Sequence, residues 1–135
     1  MRLTRATVTA ASRIMLPAYV VLNILVGVFY TLAPTDRLNR IDSLAFQRAV
    51  MPMHMWGLVF VALAVVMAGA LLSHRRELMT FALFTCAVTW ACWSAMYAAS
   101  LHVNAGASPI SPVLAGFVAT ACVASAVSLL HGEVQ

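Results

Sequence analysis

Residues 14–35, 49–74 and 78–132 contain no Asp, Glu, Lys or Arg, and this spacing of charge constrains the fold more than any motif does. A bilayer core about 30 Å thick needs roughly 20 apolar residues of helix to cross it. The two shorter stretches each fit one crossing, and the longest fits two with a turn between them. Asn104 to Pro112 supplies the turn, because Gly106, Pro109 and Pro112 interrupt helical continuity there. The expected fold class is all-α: an integral membrane four-helix bundle of up-down hairpins with short loops. It forms a single transmembrane domain over residues 1–135, with spans near 14–33, 51–73, 78–101 and 110–130.

With 63% hydrophobic and 9% charged residues, these 135 residues leave no stretch for a soluble domain, so function is expected in the bundle or its loops. Every basic residue is arginine. Arg2, Arg5 and Arg13 precede the first span and Arg75 and Arg76 separate the second from the third, which places them all on one side of the membrane. Arg37, Arg40 and Arg48 fall on the other side, diluted by Asp36 and Asp42. The bias predicts a cytoplasmic (inner) membrane protein with both termini and the His74–Glu77 turn in the cytoplasm. The first apolar run is long and Pro34 follows the one small-residue site at Ala33, so an uncleaved span is expected in place of a secretory signal. Cys86, Cys92 and Cys122 lie within spans and form no Cys-x-x-Cys pair, which reads as packing and not as a disulfide framework or structural zinc site.

Thr35 to Val50 is the longest polar segment. Leu38, Ile41 and Leu44 or Ala45 recur at helical spacing among Arg37, Arg40 and Asp42, the pattern of one amphipathic segment lying in the interface between spans one and two, capped by Thr35 or Asp36. The bland reading is a solvated connecting loop. A bend is expected at Pro52.

Inside lipid, helices associate through small residues that let backbones approach. Gly116, Thr120, Ala124 and Ser128 follow one another at four-residue spacing in the fourth span, with Ala115 and Ala119 alongside, and Ala87, Ala91, Ala95 and Ala99 do so in the third. These are the candidate oligomer contacts, to be weighed against ordinary packing within one chain. Trp56 and Tyr97 read as interface anchors, whereas Trp90 lies too deep for that and is expected to pack inside the bundle.

Intramembrane Asp, Glu, Lys and Arg are what proton-coupled carriers need, and their absence from every span disfavours such a carrier. Asn23, Thr85 and Thr89 are polar, and each can be satisfied by its own backbone or a neighbouring helix. No nucleophile and base pair is visible, no phosphate loop, and no basic surface for nucleic acid, so neither an enzyme nor a nucleic-acid partner is expected. The sharpest local oddity is Met51-Pro-Met-His-Met55. Met51, Met53, His54 and Met55, with His102 at similar depth, offer soft ligands for Cu(I), and His74 with His131 would allow haem b between helices. Against this, methionine often fills apolar gaps and histidines at span ends reach headgroups.

The basic start, the first span ending Ala33-Pro34, the run Ser43-Leu-Ala-Phe46, Trp56-Gly57 opening the second span, Arg75-Arg76 in the tight turn and the tryptophans of the third occur in an order that resembles small four-span, holin-like membrane proteins of actinobacterial phages. The resemblance implies insertion in the host's cytoplasmic membrane, accumulation as a homo-oligomer, and opening of a lesion that releases or activates a cell-wall hydrolase. It transfers no role to particular residues. The chain departs from the pattern at His131-Gly-Glu-Val-Gln135, which is nearly uncharged where many holins carry a charged tail. The leading expectation is a self-associating pore or lesion former whose partners are membrane lipid and its own copies. The alternatives are a copper- or haem-binding membrane protein and an accessory subunit of a larger membrane complex.

Overall fold

The computed structural model describes residues 2–131, with side chains described from Ile14 to Leu130. The side chains of Arg2, Arg5, Arg13 and His131 therefore lie outside the described residues, as does Glu133, and with them the charge argument for the termini and one half of the haem pair. Every regular element is helical: α1 (Arg2–Leu32), α2 (Thr35–Asn39), a 3-10 turn (Asp42–Leu44), α3 (Ala45–Val50), α4 (Met53–Ser73), α5 (Arg76–Val103) and α6 (Ile110–His131). Four of these are long and apolar enough to cross a membrane, over Ile14–Leu32, Met53–Ser73, Arg76–Val103 and Ile110–Leu130.

The long helices pack in two hairpins, α1 against α4 and α5 against α6, which join through α4 with α5 and α1 with α6. Burial on each helix follows a 3-4 alternation that keeps one face inward. On α1 that face is Leu16, Tyr19, Asn23, Gly27 and Tyr30; on α6 it is Ala115, Ala119, Cys122 and Ala126. Large side chains such as Ile14, Val65, Leu72, Val113 and Phe117 point outward, so the outer surface of the bundle is strongly apolar.

The hairpin α1–α4 crosses at glycine. A Cβ on Gly57 would stand 2.7 Å from both the Gly27 carbonyl oxygen and the Thr31 amide nitrogen, and one on Gly27 would stand 2.9 Å from the Gly57 carbonyl oxygen. The two backbones are thus in direct contact, the arrangement that van der Waals packing in lipid favours. Neither glycine belongs to a small-residue stripe in the sequence, and the crossing is a contact that sequence reading missed.

Both short turns have local causes. His74 ends α4 in the left-handed conformation, at φ 53°, and its amide donates to the Leu71 carbonyl. Ser73 closes the same end by donating its hydroxyl to the Ala70 carbonyl. Between α5 and α6 the break falls at residues 104–109 only. Pro112 lies in the first turn of α6, where its missing N–H removes no intrahelical bond, and does not extend the loop as expected.

The 35–50 connection is not one amphipathic helix. It is two short helices with a 3-10 turn between them, folded over one end of the bundle and packed on α5. Leu38 and Leu44 are buried while Ile41 is 38% exposed, so the three apolar residues do not share a face. Arg48 holds the bend by donating from one guanidinium nitrogen to the Leu38 and Ile41 carbonyls at 2.8 and 2.7 Å. Each carbonyl also accepts a backbone amide, Leu38 from Ile41 and Ile41 from Leu44, so Arg48 adds a second bond to each. Pro34 occupies the N-cap of α2 with no side-chain cap, which replaces the expected Thr35 or Asp36. Pro52 is the N-cap of α4, after an extended Met51, and marks the bend into the span.

Candidate functional site

Asn23 is the midpoint of the first helical segment long and apolar enough to cross a membrane, Ile14–Leu32, and is fully buried. A fully buried amide has no water to bond, so its partners must come from the protein. Its Nδ2 donates to the Tyr19 carbonyl at 2.7 Å, and its Oδ1 accepts from Trp90 Nε1 at 3.2 Å. The same Nδ2 lies 3.8 Å from Met67 Sδ and 3.6 Å from Cys86 Sγ. Cys86 Sγ is in turn 3.5 Å from Cys122 Sγ, and the Tyr19 and Ser125 hydroxyls stand 3.4 Å apart. One polar layer therefore links all four long helices at mid-depth. Thr85 and Thr89 sit outside it and donate to the Phe81 and Thr85 carbonyls of their own helix.

Between this layer and the capped end lies an aromatic cluster centred on Trp93, which is 1% exposed. Its ring meets Trp56 at 4.9 Å, Phe60 at 5.1 Å, Tyr30 at 5.6 Å and Tyr97 at 5.9 Å between centroids. The pairs are edge-on or tilted, the geometry that ring quadrupoles favour. Trp90 stacks beside it on Phe60 and belongs to the interior. Trp56 and Tyr97, the two expected interface anchors, are half-buried and tied into the cluster. Trp56 Nε1 donates to the Gln47 carbonyl at 3.1 Å, and the Tyr97 hydroxyl lies 3.2 Å from that of Tyr30.

The cap closes on this cluster through Gln47, which is fully buried. Its Oε1 accepts from Ser100 Oγ at 3.4 Å, while its Nε2 has no hydrogen-bond partner. The Ser43 hydroxyl accepts the Ser108 amide at 2.8 Å and the Phe46 amide donates to Ser100 Oγ, so the cap is fastened to both α5 and the 104–109 loop. Because an orphaned buried donor costs about 1–3 kcal/mol whereas an apolar isostere carries no such penalty, Gln47→Met is expected to unfold within about 1 kcal/mol of the parent, or above it. Thermal unfolding in detergent checks this; a loss of more than about 2 kcal/mol would show that the amide holds a bond essential to the cap.

The small-residue stripes divide between interior and surface. Ala87 is buried but Ala91 and Ala95 are exposed; Gly116 meets α5, where an added Cβ would stand 3.3 Å from Ser94 Oγ, but Thr120 and Ala124 are exposed and Ser128 is half-buried. Helix geometry explains the division, since a strict four-residue repeat drifts about 40° per step around a helix of 3.6 residues per turn. Each stripe begins at a buried or half-buried residue and reaches the outer surface at its middle positions, and on α6 it returns to a half-buried position at Ser128.

The residues of the Met/His run differ in burial. Met53 is buried in the core, Met51 is half-buried, and His54, Met55 and His102 are exposed. Successive residues leave a helix about 100° apart, which carries Met53, His54 and Met55 in different directions. Among the described residues no group of three or more His, Cys, Asp or Glu comes together. His74 is exposed in its turn. The sequence matches no protein-family model, and comparison with curated proteins and with solved structures gives no match.

Proposed function

We propose that the chain is a multi-pass membrane protein, a bundle that inserts in the cytoplasmic membrane and works by self-association, forming a pore or lesion of the holin kind. The observation that carries this reading is the exposed small-residue path Thr120 and Ala124 on α6 with Ala91 and Ala95 on α5. The protomer's own hairpin contacts are made elsewhere, by Gly27 with Gly57 and by Ala115, Ala119, Cys122 and Ala126. Small residues facing lipid leave shallow notches, and notches are where a second copy gains packing that acyl chains do not supply. No ionised side chain occupies the interior of a span, in keeping with a role in assembly and not in proton-coupled transport.

The test follows from where the stripe lies. Ala124→Leu fills an exposed notch and is expected to lower the crosslinked oligomer in membranes while insertion and protomer unfolding stay unchanged. Gly116→Leu meets Ser94 within the protomer and is expected to disturb the α5–α6 seam as well. Unchanged oligomer size in Ala124→Leu removes the proposed contact. Controlled expression in bacteria with a membrane-potential dye tests the lesion itself: collapse at a defined time supports it. A stable potential, together with a stoichiometric foreign protein on mild-detergent purification, would replace it with a docking role in a larger complex.

A further inference from the structure

We propose that Met67, Cys86 and Cys122 form a binding site for Cu(I) within the bundle, distinct from the Met/His run at the end of the second span and independent of the self-association reading. The three sulfurs come from α4, α5 and α6, all three side chains are fully buried, and α1 contributes the Asn23 amide that contacts two of them. Cys86 Sγ and Cys122 Sγ are 3.5 Å apart. Sulfur ligands held at about 2.3 Å from a metal in a trigonal arrangement stand about 4 Å from one another, so the two thiols need separate by only about half an ångström. A disulfide requires the opposite motion, closure to about 2.05 Å.

The chemistry of the donors selects the ion. Two thiols and a thioether are soft ligands in low number, which suits Cu(I); Zn(II) takes four ligands and favours imidazole or further thiolates. Cu(I) displaces one proton from each thiol to the surrounding buffer, so that both cysteines bind as thiolates and Met67 adds an uncharged thioether; the filled site carries one net negative charge, faced by the Asn23 amide. The Asn23 amide, 3.6 Å from Cys86 Sγ, is placed to donate to the thiolate and fix its direction, as outer partners of metal ligands do. Met67 is unbranched and adjusts its sulfur by rotation about its own bonds.

The experiment uses the full-length protein purified in mild detergent under reducing, anaerobic conditions and titrated with Cu(I) kept reduced by ascorbate. The expected result is retention of about one equivalent after desalting, as a site filled well above its dissociation constant requires. X-ray absorption is expected to show sulfur ligands alone, three in number. Cys86→Ser with Cys122→Ser is expected to reduce retention to less than about a tenth of an equivalent, in a protein whose helix content is unchanged. Because that double variant removes core side chains, Met67→Leu provides the second reading: it conserves volume and is expected to keep copper with two sulfur ligands in place of three. His54→Ala with Met55→Leu, and Cys92→Ser, are expected to retain the full equivalent. Nitrogen ligands in the spectrum, loss of copper in the His54 and Met55 variant, or no uptake by the parent protein would each overturn the proposal. So would a parent that forms a Cys86–Cys122 disulfide on oxidation and takes up no copper.

Discussion

Replacing Gly57 with leucine is expected to destabilise the bundle by about 3 kcal/mol or more, the upper range for overpacking a tight contact. The magnitude follows from what the new side chain meets. Its Cβ alone would stand 2.7 Å from the Gly27 carbonyl oxygen and the Thr31 amide nitrogen, and backbone atoms within a helix cannot rotate away as a side chain does. The only relief is separation of α1 from α4, which removes close contacts along the whole hairpin. Gly69 is the matched control, because nothing lies within 4 Å of the corresponding Cβ. Gly69→Leu is expected to unfold like the parent or slightly later, since leucine is the better helix former. Denaturant unfolding of both variants in mild detergent, followed by tryptophan fluorescence, checks the pair; equal midpoints would show that the Gly27–Gly57 crossing is not a tight one.

Trp93→Ala is expected to cost a similar amount, about 3–5 kcal/mol, for a different reason. The indole is 1% exposed and contacts rings from three helices, so truncation leaves a cavity that Tyr30, Trp56, Phe60 and Tyr97 cannot fill without giving up their mutual packing. In lipid the hydrophobic term between helices is absent, and the lost dispersion contacts carry the effect. Near-ultraviolet circular dichroism is expected to collapse while helix content persists. A variant with parental near-ultraviolet signal and midpoint would remove the cluster from the account of stability.

The four long helices were legible because a single physical fact, the cost of charge in lipid, is written directly as gaps between Asp, Glu, Lys and Arg. What the gaps cannot convey is which residues of different helices meet. Asn23 and Trp90 were each identifiable as a polar and a deep residue, but their hydrogen bond joins positions 67 residues apart. The same holds for Cys86 and Cys122, which spacing alone presented as unrelated packing residues. Gly27 and Gly57 carry no repeat, so a search for stripes passes over them, although at both an added Cβ would collide with the backbone of the facing helix. The stripes that were visible proved to be only partly interior, because four-residue spacing drifts while true buried faces alternate three and four. In the 35–50 segment the helical spacing of Leu38, Ile41 and Leu44 concealed a fold set by tertiary bonds from Arg48 and by the burial of a glutamine, Gln47, that polarity alone would place outside.

The most direct measurement is oxidative crosslinking in native membranes, with Cys86, Cys92 and Cys122 replaced by alanine and a single cysteine introduced at Ala124 or at Val65. Both positions are exposed in the protomer, on α6 and α4 respectively. If copies assemble through the small-residue path of α6, Ala124→Cys gives a covalent dimer and Val65→Cys gives none. Equal crosslinking at the two positions, or none at Ala124→Cys, would contradict the account.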